Sequence, residues 1–125
     1  MKELSAWFEF SDDAISDVPK ECGGYKIRSK KMVNRVKGTS DIVYIGINKK
    51  QRIDGLHGRI KRHIKGHSSA SKYLNNLNKE LGLQFAYIKI ESRNARLNWE
   101  REQLIAYLEK HLELPPANSS LPIIT

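Results

Sequence analysis

Six consecutive residues, Ile42-Val43-Tyr44-Ile45-Gly46-Ile47, constrain the fold of this chain more than any other feature. β-Branched and aromatic side chains follow one another there, a composition that favours strand. A strand that alternates apolar and polar needs cover on one face only. A strand that is apolar throughout needs it on both, so the run predicts a central strand between layers of helix. The rest of the chain offers those helices. Asp54 or Gly55 can open one that runs through about Lys65 to Gly66-His67, with Ile53, Leu56, Ile60 and Ile64 as its apolar stripe. A second spans Ala70 to Leu81, with Tyr73, Leu74 and Leu77 inward and Gly82 as its stop. The longest runs from Asn94 to about Leu112, with Leu97, Leu104, Ile105, Leu108 and Leu112 toward the core and Glu109 and Glu113 toward water.

Two further strands complete the expected sheet. Gly24-Tyr25-Lys26-Ile27-Arg28 alternates, with Tyr25 and Ile27 on one face, and residues 29–40 read as a hairpin connection ending in Gly38-Thr39-Ser40. Leu83 to Ile90 alternates as well, with Leu83, Phe85, Tyr87 and Lys89 on one face. The expected fold is α/β (α+β): a small, three-stranded, mainly antiparallel sheet flanked by helices, in the order β-β-α-α-β-α. A chain of 125 residues makes one domain, 1–125. Its core is expected over about 21–118, with 1–20 as an N-terminal extension and 119–125 as a tail. The prolines of Leu114-Pro115-Pro116 end the last helix.

Charge is distributed unevenly. Residues 26–66 carry 13 Lys or Arg against Asp41 and Asp54, a net of +11, whereas residues 1–25 come to −4 and residues 67–125 to +1. A domain this small with one strongly cationic third suits a polyanion, and nucleic acid is the commonest. No apolar run spans a bilayer and no secretion signal opens the chain, so an intracellular, cytoplasmic location without membrane contact is expected. The single cysteine, Cys22, excludes an internal disulfide, a four-cysteine zinc site and an iron–sulfur cluster. Phosphate-binding Gly-Lys loops and serine-nucleophile elbows are absent from the sequence, and the four histidines lack the setting of a zinc protease.

Several residues carry potential chemistry. Arg59 and His63 stand four apart on one helix face, where a guanidinium can fork onto phosphate and an imidazole can exchange a proton. Taken alone, they suit a solvated basic helix better. Glu102 flanks the apolar face of the last helix and could serve Mg²⁺ as a hard ligand, or simply complement the helix dipole beside Glu100. Tyr25 and Tyr44 fall on neighbouring strands and could sit together, or merely pack.

Taken together, these residues resemble the GIY-YIG endonuclease family. Gly23-Gly24-Tyr25 stands where the first signature triplet belongs, with Gly24 replacing the usual aliphatic residue, and Tyr44-Ile45-Gly46 is the second triplet in full. Arg59 and His63 look like the family's Arg-x-x-x-His helix, and Gly66-His67-Ser68-Ser69 resembles a further histidine loop of some members. Glu100-Arg101-Glu102 before Leu104-Ile105 looks like the metal-glutamate helix, and Asn118 falls where a family asparagine closes the domain. The match covers residues 21 to 118, with the segment Ile47 to Gly58 a few residues longer than usual.

The resemblance implies a hydrolase that cuts phosphodiester bonds in DNA with one divalent ion, Mg²⁺ or Mn²⁺. Glu102 would anchor the metal and Arg59 would neutralise the charge developing on phosphorus. Tyr44 is the first candidate for the base, with Tyr25 or His63 assisting, and His67 and Asn118 would orient phosphate or neighbouring side chains. Lys26, Lys30, Lys49, Lys61, Arg62 and Lys65 are the expected backbone contacts. DNA is the expected partner, with a protein partner or homodimer supplying specificity. The competing readings are a nucleic-acid-binding module that kept the fold without catalysis, and a nuclease acting on RNA.

Overall fold

A computed structural model gives the fold and describes residues 3–49 and 54–119. The chain is α+β, with a four-stranded antiparallel sheet: β1 (Phe8–Glu9), β2 (Gly23–Asn34), β3 (Thr39–Ile47) and β4 (Leu83–Lys89), in the spatial order β1-β4-β2-β3. The helices are α1 (Gly55–Lys65), α2 (Ser71–Leu81) and α3 (Arg93–His111). All three lie where the apolar spacing placed them. Among the described residues, no helix is long and apolar enough to cross a membrane.

The sheet departs from the three-stranded expectation at both edges. The added strand is β1, which pairs through Phe8↔Phe85 and Glu9↔Gln84. Residues 1–20 were expected outside the core, yet their described part is built into it. Phe8 stacks on Phe85 and Tyr87, and Phe10 and Val18 are buried in the main core. A short 3-10 helix, Asp12–Asp17, leads into carbonyls that receive the first free amides of α1: Leu56 N donates to Glu21 O at 2.8 Å and His57 N to Pro19 O at 3.0 Å. Amides in a helix's first turn have no partner within the helix, so this segment supplies one.

The second departure concerns β3, which was expected in the middle of the sheet and lies at its edge. Its apolar run is nevertheless covered on both faces, by the α1 side and by α3. Its outer edge is capped by the chain after α3. Ala117 N donates to Val43 O at 2.9 Å, Asn118 Oδ1 accepts from Ile45 N at 3.0 Å, and Asn118 Nδ2 donates to Ile45 O at 2.9 Å. One asparagine amide thus mimics a neighbouring strand along an edge otherwise open to pairing. The hairpin is also tighter than the expected 29–40 connection. Pairing continues to Asn34↔Thr39, leaving a turn over Arg35–Gly38 with Gly38 at φ +73°.

Tyr25, Ile27, Tyr44, Phe85 and Tyr87 share the sheet face covered by α1 and α2, where Leu56, Ile60 and Leu74 complete the core. The other face meets α3. There a Cβ on Gly24 would lie 2.3 Å from the Trp99 ring, so the indole occupies the volume that a larger residue in the first triplet would fill. We expect Gly24→Ala to destabilise the fold by about 1–3 kcal/mol through overpacking. Denaturant midpoints should show this cost falling when Trp99→Ala is added, because the two substitutions share one volume.

Two inward assignments do not hold. Tyr73 is 47% exposed and Leu112 59% exposed. The buried stripe of α3 is instead Leu97, Glu100, Leu104, Tyr107 and His111, with Arg96 beside it. Leu112 lies past the helix at φ 61°, where the backbone has turned out of helical phase.

Candidate active site

The strand register assembles the centre of the site. Tyr25 pairs with Gly46, and Ile27 pairs with Tyr44, so the two tyrosines stand diagonally on one face with ring centroids 6.0 Å apart. The missing side chain at Gly46 is essential to this arrangement. A Cβ there would lie 2.6 Å from the Tyr25 hydroxyl and 2.8 Å from the Tyr44 ring. Helix α1 crosses above. Its one-turn spacing brings Arg59 and His63 to the phenols, and the His63 ring stands edge-on to Tyr44 with centroids 5.2 Å apart. The Arg59 guanidinium lies close enough to both tyrosines for its charge to act on them.

Burial divides the two phenols. Tyr25 is fully buried and bonds His63 Nε2 through its hydroxyl at 2.6 Å. Burial, with Tyr44 adding to it, holds its pKa well above the ordinary phenol value, against the pull of Arg59. Tyr44 reaches a cavity of about 330 Å³, which is also lined by Lys49, Arg59, Ser69, Glu100 and Asn118. His63 is buried too, and burial with the charges of Arg59 and Arg62 lowers its pKa to about 3. The imidazole is therefore neutral at neutral pH.

The acidic residue of the cavity is Glu100, a correction to the assignment of Glu102. Glu102 is exposed and does not line the cavity. Two residues along a helix turn the side chain by about 200°, so only one of these glutamates can face the sheet. Glu100 is 7% exposed, and its Oε1 has no hydrogen-bond partner among the described residues. Burial raises its pKa, while Lys49 and Arg59 draw it down. The sequence contained a signal for this choice, because Leu97, Glu100, Leu104, Tyr107 and His111 continue one stripe at three- and four-residue steps. Reading Ile105 and Leu108 as the inner positions shifted the phase and moved the wrong carboxylate inward.

The remaining assignments divide. Lys49 and Asn118 line the cavity. His67 does not: it is exposed, because Gly66 at φ +90° ends α1 and turns the chain before a further helical turn forms. The next residue, Ser68, reaches His63 instead. Lys26 lies on the α3 side of the sheet, half-buried beside Tyr107 and Lys110, where burial lowers its pKa. Lys30 contacts Glu9, Arg62 contacts Asp54 at 3.5 Å, and Lys65 contacts Asp12 at 3.0 Å, while Lys61 is exposed. Surface pairs of this kind are weak and can give way to a polyanion. Ile53 and the other residues of 50–53 lie outside the described residues.

Sequence reasoning also missed Arg96. It is almost fully buried, and it donates to Asn48 O at 2.9 Å, Ile90 O at 3.3 Å and Glu91 O at 2.5 Å. One guanidinium thereby ties the segment after β3 to the end of β4, one helical turn from Glu100. It sets the base from which Lys49 enters the cavity.

Among the described residues no group of three or more His, Cys, Asp or Glu comes together. A divalent cation here would rest on Glu100, with water and phosphate oxygens completing its shell, an arrangement that suits Mg²⁺. The unpartnered carboxylate oxygen facing a cationic cavity fits that role. Comparison of the chain with protein-family models, with curated proteins and with solved structures found no match.

Proposed function

We propose that this protein is a GIY-YIG-type endonuclease that hydrolyses phosphodiester bonds in DNA and depends on one divalent ion, Mg²⁺ or Mn²⁺. One observation carries the reading. Three segments distant in sequence send a phenol and an ammonium (Tyr44 and Lys49), a guanidinium (Arg59) and a buried carboxylate with an unpartnered oxygen (Glu100) into a single cavity.

In the proposed reaction Arg59 and Lys49 hold the phosphate, and Arg59 stabilises the charge that develops as phosphorus becomes five-coordinate. Glu100 holds the cation. When bound, that ion screens the phosphate and stabilises the leaving oxygen. Tyr44 is the phenol that can meet an attacking water. Its neighbour Tyr25 lies behind it, buried and hydrogen-bonded to His63 Nε2. Asn118 keeps the β3 edge, and with it Tyr44, in place. Nucleic-acid binding without cleavage is the second reading, favoured by the cationic middle third of the chain.

Incubation with supercoiled plasmid tests this. The expected result is nicking that requires Mg²⁺ or Mn²⁺ and stops with chelator. Salt-sensitive binding without cutting of duplex DNA, single strands or RNA selects the binding module instead. Cutting confined to RNA assigns the same chemistry to a ribonuclease.

A further inference from the structure

A second cavity, of about 300 Å³, lies on the other face of the sheet, between β2, β3 and the C-terminal half of α3. Strand alternation sends Lys26 there. It follows Tyr25, so its side chain leaves the sheet on the side opposite the first cavity. β2 has a neighbour on each side, and Lys26 pairs with Ile45 of β3 and Ala86 of β4. The result is a half-buried ammonium on an inner strand that meets no carboxylate and no hydrogen-bond acceptor among the described residues. Burial lowers its pKa, and no neighbouring charge offsets that. A polar group that loses water without gaining a partner weakens the fold. For stability alone, an apolar side chain of the same length would serve better at this position.

The rest of the lining has the same bias toward donors. Ser40 Oγ accepts from Ile42 N at 3.1 Å, which leaves its hydrogen to donate. The Gln103 amide has no partner among the described residues, and Lys110 stands exposed at the rim. Asp41 is the one acid of the lining, and it pairs with neither lysine. His111 is committed elsewhere. A carbonyl can only accept, so His111 Nδ1 donates to Lys37 O at 2.9 Å, and Lys37 N donates in return to His111 O at 3.1 Å. That exchange fixes the hairpin turn on the end of α3 and takes up a free carbonyl of the last turn, where the helix dipole is negative. Met32, Ile42 and Ile45 supply apolar walls, and the cavity is much larger than a phosphate group.

We propose that this cavity is a second anion-binding site, which takes a phosphate carried on an organic group of nucleotide size. Lys26 and Lys110 hold the phosphate as point charges, Ser40 and Gln103 donate to its oxygens, and the apolar walls seat the attached group. A free nucleotide and a nucleic-acid strand both present that chemistry. The assignment does not rest on the nuclease reading, because none of these side chains lines the first cavity.

Titration of the full-length, ¹⁵N-labelled protein tests this, with chelator present so that nothing is cut. Inorganic phosphate and adenosine monophosphate should each give saturable shifts at the amides around Lys26, Ser40 and Lys110, with adenosine monophosphate the tighter ligand. A short oligodeoxynucleotide that binds here more tightly than adenosine monophosphate assigns the pocket to a strand, and one that binds no more tightly assigns it to the free nucleotide. Lys26→Met should weaken adenosine monophosphate at these amides at least about tenfold, while its urea midpoint stays at or above that of wild type. Asp41→Asn removes the opposing charge and should tighten inorganic phosphate. No saturable shift at this pocket with any of the three probes overturns the proposal. So does unchanged affinity in a folded Lys26→Met protein, or weaker phosphate binding in a folded Asp41→Asn protein. Adenosine monophosphate bound no more tightly than inorganic phosphate overturns the nucleotide-sized site. Where Lys26→Met does not fold, Lys110→Ala at the exposed rim decides: binding weakened about threefold or more supports the site, and unchanged binding overturns it.

Discussion

Glu100→Ala should reduce metal-dependent nicking by more than about a hundredfold, while Glu102→Ala should leave it within about twofold of wild type. The contrast follows from one helical phase. Glu100 enters the cavity with an unpartnered carboxylate oxygen, and Glu102, two residues on, faces solvent. Its magnitude reflects the demands on Glu100, which alone among the cavity's described acids can hold a cation against the phosphate. Glu100→Gln sharpens the experiment by keeping the volume and removing the charge. Burial opposes the charge of Glu100, so both variants should fold at least as stably as wild type, and thermal melts distinguish lost chemistry from lost structure. Equal losses at Glu100 and Glu102, or loss at Glu102 alone, would refute the site as built here.

The second large effect is acid destabilisation through His63. Its pKa falls from 6.5 to about 3 because burial and the nearby charges of Arg59 and Arg62 exclude the imidazolium. Between those values the unfolded chain binds a proton that the folded chain does not. Stability is therefore fully present above about pH 6.5 and is lost as pH falls toward 3. Over the whole interval this amounts to roughly 4–5 kcal/mol, a large share of the stability of a domain this size. The groups around the ring are Tyr25, Tyr44, Ser68, Arg59 and Arg62, none of them an acid that could stabilise the cation. Glu100 works in the opposite sense, because its raised pKa lets the folded state take up a proton first as pH falls. Urea midpoints between pH 7 and 4 should fall steeply for the wild type and much less for His63→Gln, and a wild-type midpoint constant over that range would contradict the buried neutral imidazole.

Much of the fold was legible in residue order. The apolar stripes of α1 and α2, the glycines after them and the alternation over Leu83 to Lys89 are local patterns, set by side chains within a few residues of one another. The placing of Tyr25 and Tyr44 on neighbouring strands and the one-turn spacing of Arg59 and His63 were legible for the same reason. The misreadings share a different cause. Whether Ile42 to Ile47 lies in the middle or at the edge depends on which strand takes the neighbouring place. An apolar run reports cover on its faces and says nothing about its hydrogen-bonded edge. Residues 8–10 show too short a pattern to announce a strand, and only their docking on Phe85 and Tyr87 makes them one.

The site shows the same division at finer scale. Sequence alone determined which chemistry is on hand, namely two phenols, a guanidinium, an imidazole, acids in the last helix and a cationic middle third. Tertiary structure decided that Glu100 rather than Glu102 faces the cavity, that Ser68 rather than His67 meets His63, and that Tyr25 is sealed behind Tyr44. Composition and spacing act over a few residues, whereas helical phase, burial and hydrogen-bond direction are settled only when packed elements fix each side chain's orientation, and a shift of one residue, about 100° around a helix, carries a carboxylate from the core to solvent.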